Sequence, residues 1–362
     1  MKLGLFNLMT LRQNPRGAAG VFADTLQMVS LAEEIGFDIA WFAEHHFTNY
    51  SVSVSPLMTA SFMAGKTSRI RLGAAVIVLP LYHPLRVAQE IAMLDLMSGG
   101  RAVIGVGSGY QRYEFERYQK SLDHKHELFM EHWSIVEQVL LEGRAALKGK
   151  HIDLPETVVT VRPLQKPLPE VFVAAVHPEV LKRLAGVGAT PFLTAGWRGT
   201  KVLYGLRDNL VECWRKAGLA PEAMKLGVQQ YIHVTDSRSD ALEAADCARY
   251  VGRSLATLNK PVLALKGSFV DTPAFDGEPP LETFVDNVII GDAHHVAARL
   301  VAEIRELEPT HYSCFFQFGD LPIAKARRAL ERFGKEVLPL VEKEVGPLDR
   351  IGRGTSPPIA AQ

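Results

Sequence analysis

Eight short apolar runs, each followed by a segment with helical spacing, recur along the chain from its third residue. The runs are Leu3–Leu8, Asp38–Ala43, Arg69–Leu79, Arg101–Val106, Val171–Val176, Thr190–Thr194, Lys225–Val234 and His311–Phe316. Between them lie helical stretches such as Val21–Ile35, stopped by Gly36, and Pro84–Met97, stopped by Ser98-Gly99-Gly100. Ser239 is placed to cap a helix over Ser239–Leu255, and Pro322–Val345 closes the series. Strands apolar on both faces belong to a parallel sheet covered by helices. Eight is the number that closes a (β/α)8 TIM barrel, with an open doubly wound sheet as the alternative. The expected organisation is one α/β domain over 1–345, insertions at about 110–165 and 256–292, and a flexible tail over 346–362. A length of 362 residues is no obstacle, because barrels of this kind often exceed one domain's usual size.

Charge and cysteine usage exclude several classes. Forty Lys and Arg balance forty Asp and Glu, so no basic field recruits nucleic acid. Cys213, Cys247 and Cys314 lie far apart and offer neither a disulfide framework nor a metal knuckle. No run approaches the ~18 apolar residues that a spanning helix needs, and the N-terminus turns polar at Asn7, too early for a signal peptide. A cytoplasmic protein without membrane contact is expected.

Barrel enzymes carry their chemistry at the C-terminal ends of the strands. Asn7 follows the first run, Glu44-His45-His46-Phe47 the second, and Leu79-Pro80 with His83 the third. Gly105-Val106-Gly107-Ser108-Gly109-Tyr110 follows the fourth, His177-Pro178 the fifth, Thr194-Ala195-Gly196-Trp197-Arg198 the sixth, and Gln317 the eighth. Imidazole titrates near neutrality, so the Glu44-His45-His46 exit suits acid/base work, and hydrogen-bonded structural histidines are its plain alternative. Metal ligation would need further ligands from other strand ends, and none is evident, so no metal site is assigned. His124-Lys125-His126 and His294-His295 read as solvated or helix-start residues. Gly105-x-Gly107-x-Gly109 fails the dinucleotide fingerprint on spacing, but its glycines permit close backbone approach to a flat ligand. His177 precedes a helix that opens with Pro178, an end suited to anions.

These residues together resemble the bacterial luciferase-like flavin-dependent monooxygenases. The resemblance rests on Leu3-Gly4-Leu5-Phe6, Ala32-Glu33-Glu34-Ile35-Gly36-Phe37-Asp38, Glu44-His45-His46-Phe47 and Arg69-Ile70-Arg71-Leu72-Gly73-Ala74-Ala75-Val76. It continues through Val78-Leu79-Pro80, His83-Pro84, Leu94-Asp95, Ser98, Gly100-Arg101, the glycine loop with Tyr110, and Val337-Leu338-Pro339.

The resemblance implies a TIM barrel that uses FMN, supplied reduced by a separate flavin reductase, and O2. Reaction through a flavin C4a-hydroperoxide would oxidise a small organic substrate such as an aldehyde or ketone. It further implies His45 as the catalytic acid/base and a non-proline cis peptide at Ala75-Val76. The cofactor-binding residues expected are Glu44, Ala75, Val76, Gly107, Ser108, Gly109, Tyr110, His177 and Thr194. Phe6, Phe47, Tyr110 and Trp197 would shield the flavin, and a homodimer would form through helices near 56–64 and 84–97. The chain departs from luciferase itself, which has an arginine at Ser108, a glutamate-serine pair at Val176-His177, and a cysteine at Gly107. A deazaflavin-dependent oxidoreductase, a metal-dependent barrel hydrolase and a non-catalytic flavin binder are the other readings.

Overall fold

The computed structural model describes residues 1–352. Eight parallel strands close on themselves: β1 (Lys2–Asn7), β2 (Ile39–Phe42), β3 (Arg71–Ala74), β4 (Ala102–Gly107), β5 (Val171–Ala174), β6 (Thr190–Thr194), β7 (Gly227–Val234) and β8 (His311–Phe315). Closure is made twice over, with Gly227 opposite both Phe192 of β6 and His311 of β8, and Lys2 opposite His311. The barrel expected from the eight runs is therefore the fold observed.

The lumen is filled from the sequence's own alternation. Ile39, Trp41, Val103 and Phe172 form an inward cluster separate from the outer core beneath the helices. The Trp41 ring meets Phe172 edge-on at 4.7 Å. Room for it comes from Gly4 and Gly73, where a Cβ would stand 2.6 Å and 2.4 Å from the indole. At the N-terminal end, Glu170 joins Lys2 (3.1 Å), Arg71 and His311 (3.3 Å) in a plug. Burial alone would raise the Glu170 pKa, but those neighbours outweigh it and hold the carboxyl well below the usual range.

Local expectations are corrected for one strand and one helix cap, and the insertion and tail acquire structure. The run Arg69–Leu79 is not one strand: β3 stops at Ala74, the Ala75-Val76 peptide is cis, Ile77–Val78 pairs separately with β4, and Leu79–Leu81 is a 3-10 turn. The Ala74 carbonyl bends onto Gly105, where a Cβ would lie 1.9 Å from its oxygen, so only glycine admits the break. Ser237, not Ser239, caps the helix Arg238–Leu258, accepting from Asp240 N. The expected insertion at about 256–292 contains a two-stranded hairpin, Leu265–Lys266 with Phe269–Val270. A further short strand, Ile289–Gly291, extends β7 by pairing with Ile232–Val234. In the expected tail, Leu348–Arg350 forms a 3-10 turn, and Met1 N donates to the Leu348 and Ile351 carbonyls. Residues 353–362 of that tail lie outside the described residues.

Candidate active site

The loop after β2 and the short helix after β4 (Arg112–Arg117) meet over one edge of the barrel mouth. His45 Nδ1 lies 3.2 Å from Glu114 Oε1 and 3.1 Å from the Gln111 amide. A carboxylate accepts, so the Nδ1–H tautomer donates to Glu114, the Gln111 amide nitrogen donates instead to the Tyr110 hydroxyl at 3.2 Å, and Nε2 carries no proton. Nε2 has no protein partner among the described residues. Glu114 Oε1 also accepts from His46 N at 2.8 Å, which fixes the carboxylate against the loop it orients.

His46 is committed differently. Its Nε2 donates to Glu44 Oε1 at 2.9 Å, and its Nδ1 accepts from the Tyr118 hydroxyl at 3.0 Å. Glu44 Oε2 accepts from Val78 N at 3.2 Å, just beyond the cis peptide. Burial raises the Glu44 pKa against the opposing pull of His46 and the Val78 N–H. With its oxygens bonded to His46 and Val78, Glu44 braces the segment that follows β3.

Aromatic rings line the way from the lumen to His45. Phe6 meets Phe315 at 5.1 Å and Phe315 meets Tyr231 at 4.9 Å. The His45 ring packs on Tyr50 at 4.8 Å and Tyr110 at 5.9 Å. Burial drives the Tyr50 and Tyr110 hydroxyls far above the usual tyrosine pKa, so both stay protonated donors.

The family model of luciferase-like monooxygenases matches residues 1–311 of this chain. The chain belongs to the luciferase-like monooxygenase family. Among its relatives is the oxygenase component of a flavin-dependent trigonelline monooxygenase from Acinetobacter baylyi. That protein is 27% identical, with 94% of this chain and 95% of the relative aligned. The oxygenating constituent of a 3,6-diketocamphane monooxygenase from Pseudomonas putida, solved with FMN, superimposes with a TM-score of 0.73. The match covers 94% of this chain and 98% of that one at 19% identity. A coenzyme F420 dependent tetrahydromethanopterin reductase from Methanopyrus kandleri gives 0.69, again at 19% identity, over 93% of this chain and 98% of that one. At these identities the structures testify to the fold, and among the sequence relatives the trigonelline enzyme is a flavin-dependent monooxygenase.

In this member of the luciferase-like family, some expected site residues come together and others do not. Val76 packs on Gly107, where a Cβ would meet Val76 Cγ2 at 2.7 Å, and Ala75 borders the lumen cluster. Ser108 is buried, Gly109 takes a φ of +76°, and Lys125 Nζ donates to the Gly109 carbonyl at 3.2 Å. His177 stands at the N-cap of Pro178–Ala185 without making a side-chain cap bond. Its ring stacks on His126 at 4.3 Å, and the Nδ1 atoms of both are buried without a hydrogen-bond partner. Thr194 is set apart on β6, two strands beyond β4, with its hydroxyl accepting from Gly196 N at 3.1 Å. Trp197 lies in the 3-10 turn Gly196–Arg198 that follows β6. It packs on Phe284 at 4.5 Å and Phe275 at 5.5 Å and braces the 256–292 insertion.

Glu114, Gln111, Tyr50, Tyr118 and His126 are site residues that sequence reasoning missed. The only local signal was Gln111 and Glu114, spaced one helical turn apart directly after the glycine loop, which reads equally as a solvated helix start. Among the described residues, no helix is long and apolar enough to cross a membrane.

Proposed function

We propose that the protein is the oxygenase of an FMN-dependent monooxygenation, taking reduced FMN from a separate reductase and O2 to oxidise a small carbonyl compound. The observation that carries this reading is His45, held through Nδ1 by Glu114 with Nε2 free, beside an aromatic-lined mouth. The name of the Acinetobacter relative, an oxygenase component, supports a separate reductase. Reduced flavin, when bound, supplies the electrons that activate O2. The chain's own part is to position, dry and protonate. Ala75, Val76 and Gly107 offer a bare floor for a flat ring. Tyr50, Tyr110, Tyr231 and Phe6 exclude water. The Tyr110 hydroxyl and the Gln111 amide are donors for a substrate oxygen. His45 Nε2 moves the proton, and Glu114 stabilises the imidazolium through Nδ1. Buried, unpaired cysteines suit a cytoplasmic setting.

Ser108, the Gly109 and Tyr110 backbone, and the paired His126 and His177 would receive the FMN phosphate. Unpartnered buried imidazole nitrogens are costly unless a ligand satisfies them. A hydrogen bond to a charged group contributes about 1.5–3 kcal/mol. Ser108→Ala with His177→Ala is therefore expected to weaken FMN binding by about 10–100-fold in calorimetry. Riboflavin, which lacks the phosphate, should lose less than about threefold. Equal weakening of both flavins would place the phosphate elsewhere.

A homodimer is part of the same proposal. Met58 and Phe62 on helix Pro56–Ala64 are 74% and 48% exposed, and Met93 and Met97 on the neighbouring helix Pro84–Met97 are 46% and 56% exposed. A contiguous apolar patch of this kind marks an interface. Sedimentation at micromolar concentration should give twice the 39.9 kDa chain mass, and Met58→Glu with Phe62→Glu should halve it. A single-chain mass for the unaltered protein would contradict the dimer.

A further inference from the structure

Between β4 and β5 the chain makes a long helix, Lys125–Glu142, and an antiparallel hairpin, Arg144–Lys148 with Asp153–Val158, that folds back along it. At the far end of this pair three side chains converge. His124, in the 3-10 turn before the helix, places Nδ1 3.3 Å from Glu127 Oε2, and His151, in the hairpin turn, places Nε2 2.7 Å from the same oxygen. All three ligand atoms lie within 4.8 Å of one another. The imidazole rings of His124 and His151 are 5.2 Å apart. Nothing in the proposed reaction uses this cluster, and no such group of His, Cys, Asp and Glu occurs at the barrel mouth among the described residues.

We propose that His124, Glu127 and His151 form a zinc-binding site that clips the hairpin to the helix. Two imidazole nitrogens and one carboxylate oxygen are ligands that zinc accepts, with water completing a tetrahedron. Three such ligands arrive from only two elements, and both are fixed in advance. His124 and Glu127 share one helical start at i, i+3 spacing, so they face the same way. The His151 turn is tied to the same helix by Glu131, whose carboxylate accepts from Lys150 N (2.7 Å), His151 N (3.0 Å) and Ile152 N (3.0 Å). Gly149 leaves room for that carboxylate, since a Cβ would lie 2.5 Å from Glu131 Oε2. The turn thus holds His151 over Glu127 without help from a metal, and little ordering remains to be done on binding. Lys150 is the one competitor: its ammonium lies 2.8 Å from Glu127 Oε2, but the side chain is 64% exposed and free to swing away.

The sequence set His124 aside as solvated surface. It is exposed, but His151 lies 27 positions away along the chain, beyond any local motif spacing.

The test uses the full, tag-free chain. Titration with zinc chloride should show one equivalent bound per chain, and cobalt substitution should give the visible bands of a tetrahedral site. His151→Ala and Glu127→Gln should each weaken zinc binding at least about tenfold. Lys150→Ala should strengthen it by removing the competing ammonium. His294→Ala, at an exposed histidine elsewhere, should leave it unchanged. Zinc should raise the unfolding temperature of the unaltered chain, as any ligand of the folded state does, and not that of His151→Ala. Absence of stoichiometric binding would overturn the proposal. So would binding that His151→Ala and Glu127→Gln leave intact while both variants remain folded by circular dichroism.

Discussion

Alanine at His45 is expected to lower turnover by about 10²–10⁴, the scale of a positioned acid/base group, while FMN affinity changes by less than about threefold. The two effects separate because the His45 ring touches the side chains of Tyr50, Tyr110, Gln111 and Glu114, whereas the phosphate would be held by Ser108, the loop backbone at Gly109 and Tyr110, and His126 with His177. Glu114→Gln tests the orientation argument at the same site. An amide nitrogen cannot accept the Nδ1–H, and an amide oxygen stabilises an imidazolium less than a carboxylate does. That variant should retain substrate KM and lose part of kcat, because the His45 ring loses the carboxylate that orients it. Steady-state kinetics would separate the two parameters. Unchanged turnover in His45→Ala removes the residue from the reaction, and an unchanged kcat in Glu114→Gln removes the couple.

Loss of Trp41 is the largest expected effect on the fold. The indole is 2% exposed and stands in the centre of the barrel, between Phe172 at 4.7 Å and Phe192 at 6.0 Å. Glycines at positions 4 and 73 are shaped around it, and they cannot fill the space it would leave. Trp41→Ala should therefore cost about 3–5 kcal/mol, read as a shift of the urea unfolding midpoint. Gly73→Ala should also destabilise, for the opposite reason, because the new methyl meets a rigid ring at 2.4 Å. A loss below about 1 kcal/mol in Trp41→Ala would show that the barrel collapses onto the space, contrary to the packing described.

The eight strands could be read because a parallel barrel demands runs apolar on both faces, and such runs are local. The apolar run Arg69–Leu79 does not itself show where β3 ends, although the resemblance implies the cis peptide at Ala75-Val76; the Ala74 carbonyl packs on Gly105 of the next strand, a contact no local pattern displays. Ile289–Gly291 follows Val288 in an apolar stretch too short to separate from a loop, and β7 defines it by pairing. The site divides the same way. Glu44, His45 and the glycine loop follow strand exits, where the fold puts chemistry, so the sequence nominates them. Glu114 and His126 meet His45 and His177 from 69 and 51 residues away, so only the folded chain reveals them. The Glu44 carboxylate is bonded within the protein, to His46 and Val78.

Oxygen insertion with reduced FMN and O2 is tested most directly by supplying the protein with FMN, a flavin reductase and NADH under ¹⁸O2, against a panel of aldehydes and ketones, and weighing the products. A product should gain one atom of ¹⁸O, its formation should stop when O2 is excluded, and His45→Ala should suppress it. Products that carry no label, or that form under anaerobic conditions with a reduced deazaflavin in place of FMN, would contradict the proposed reaction.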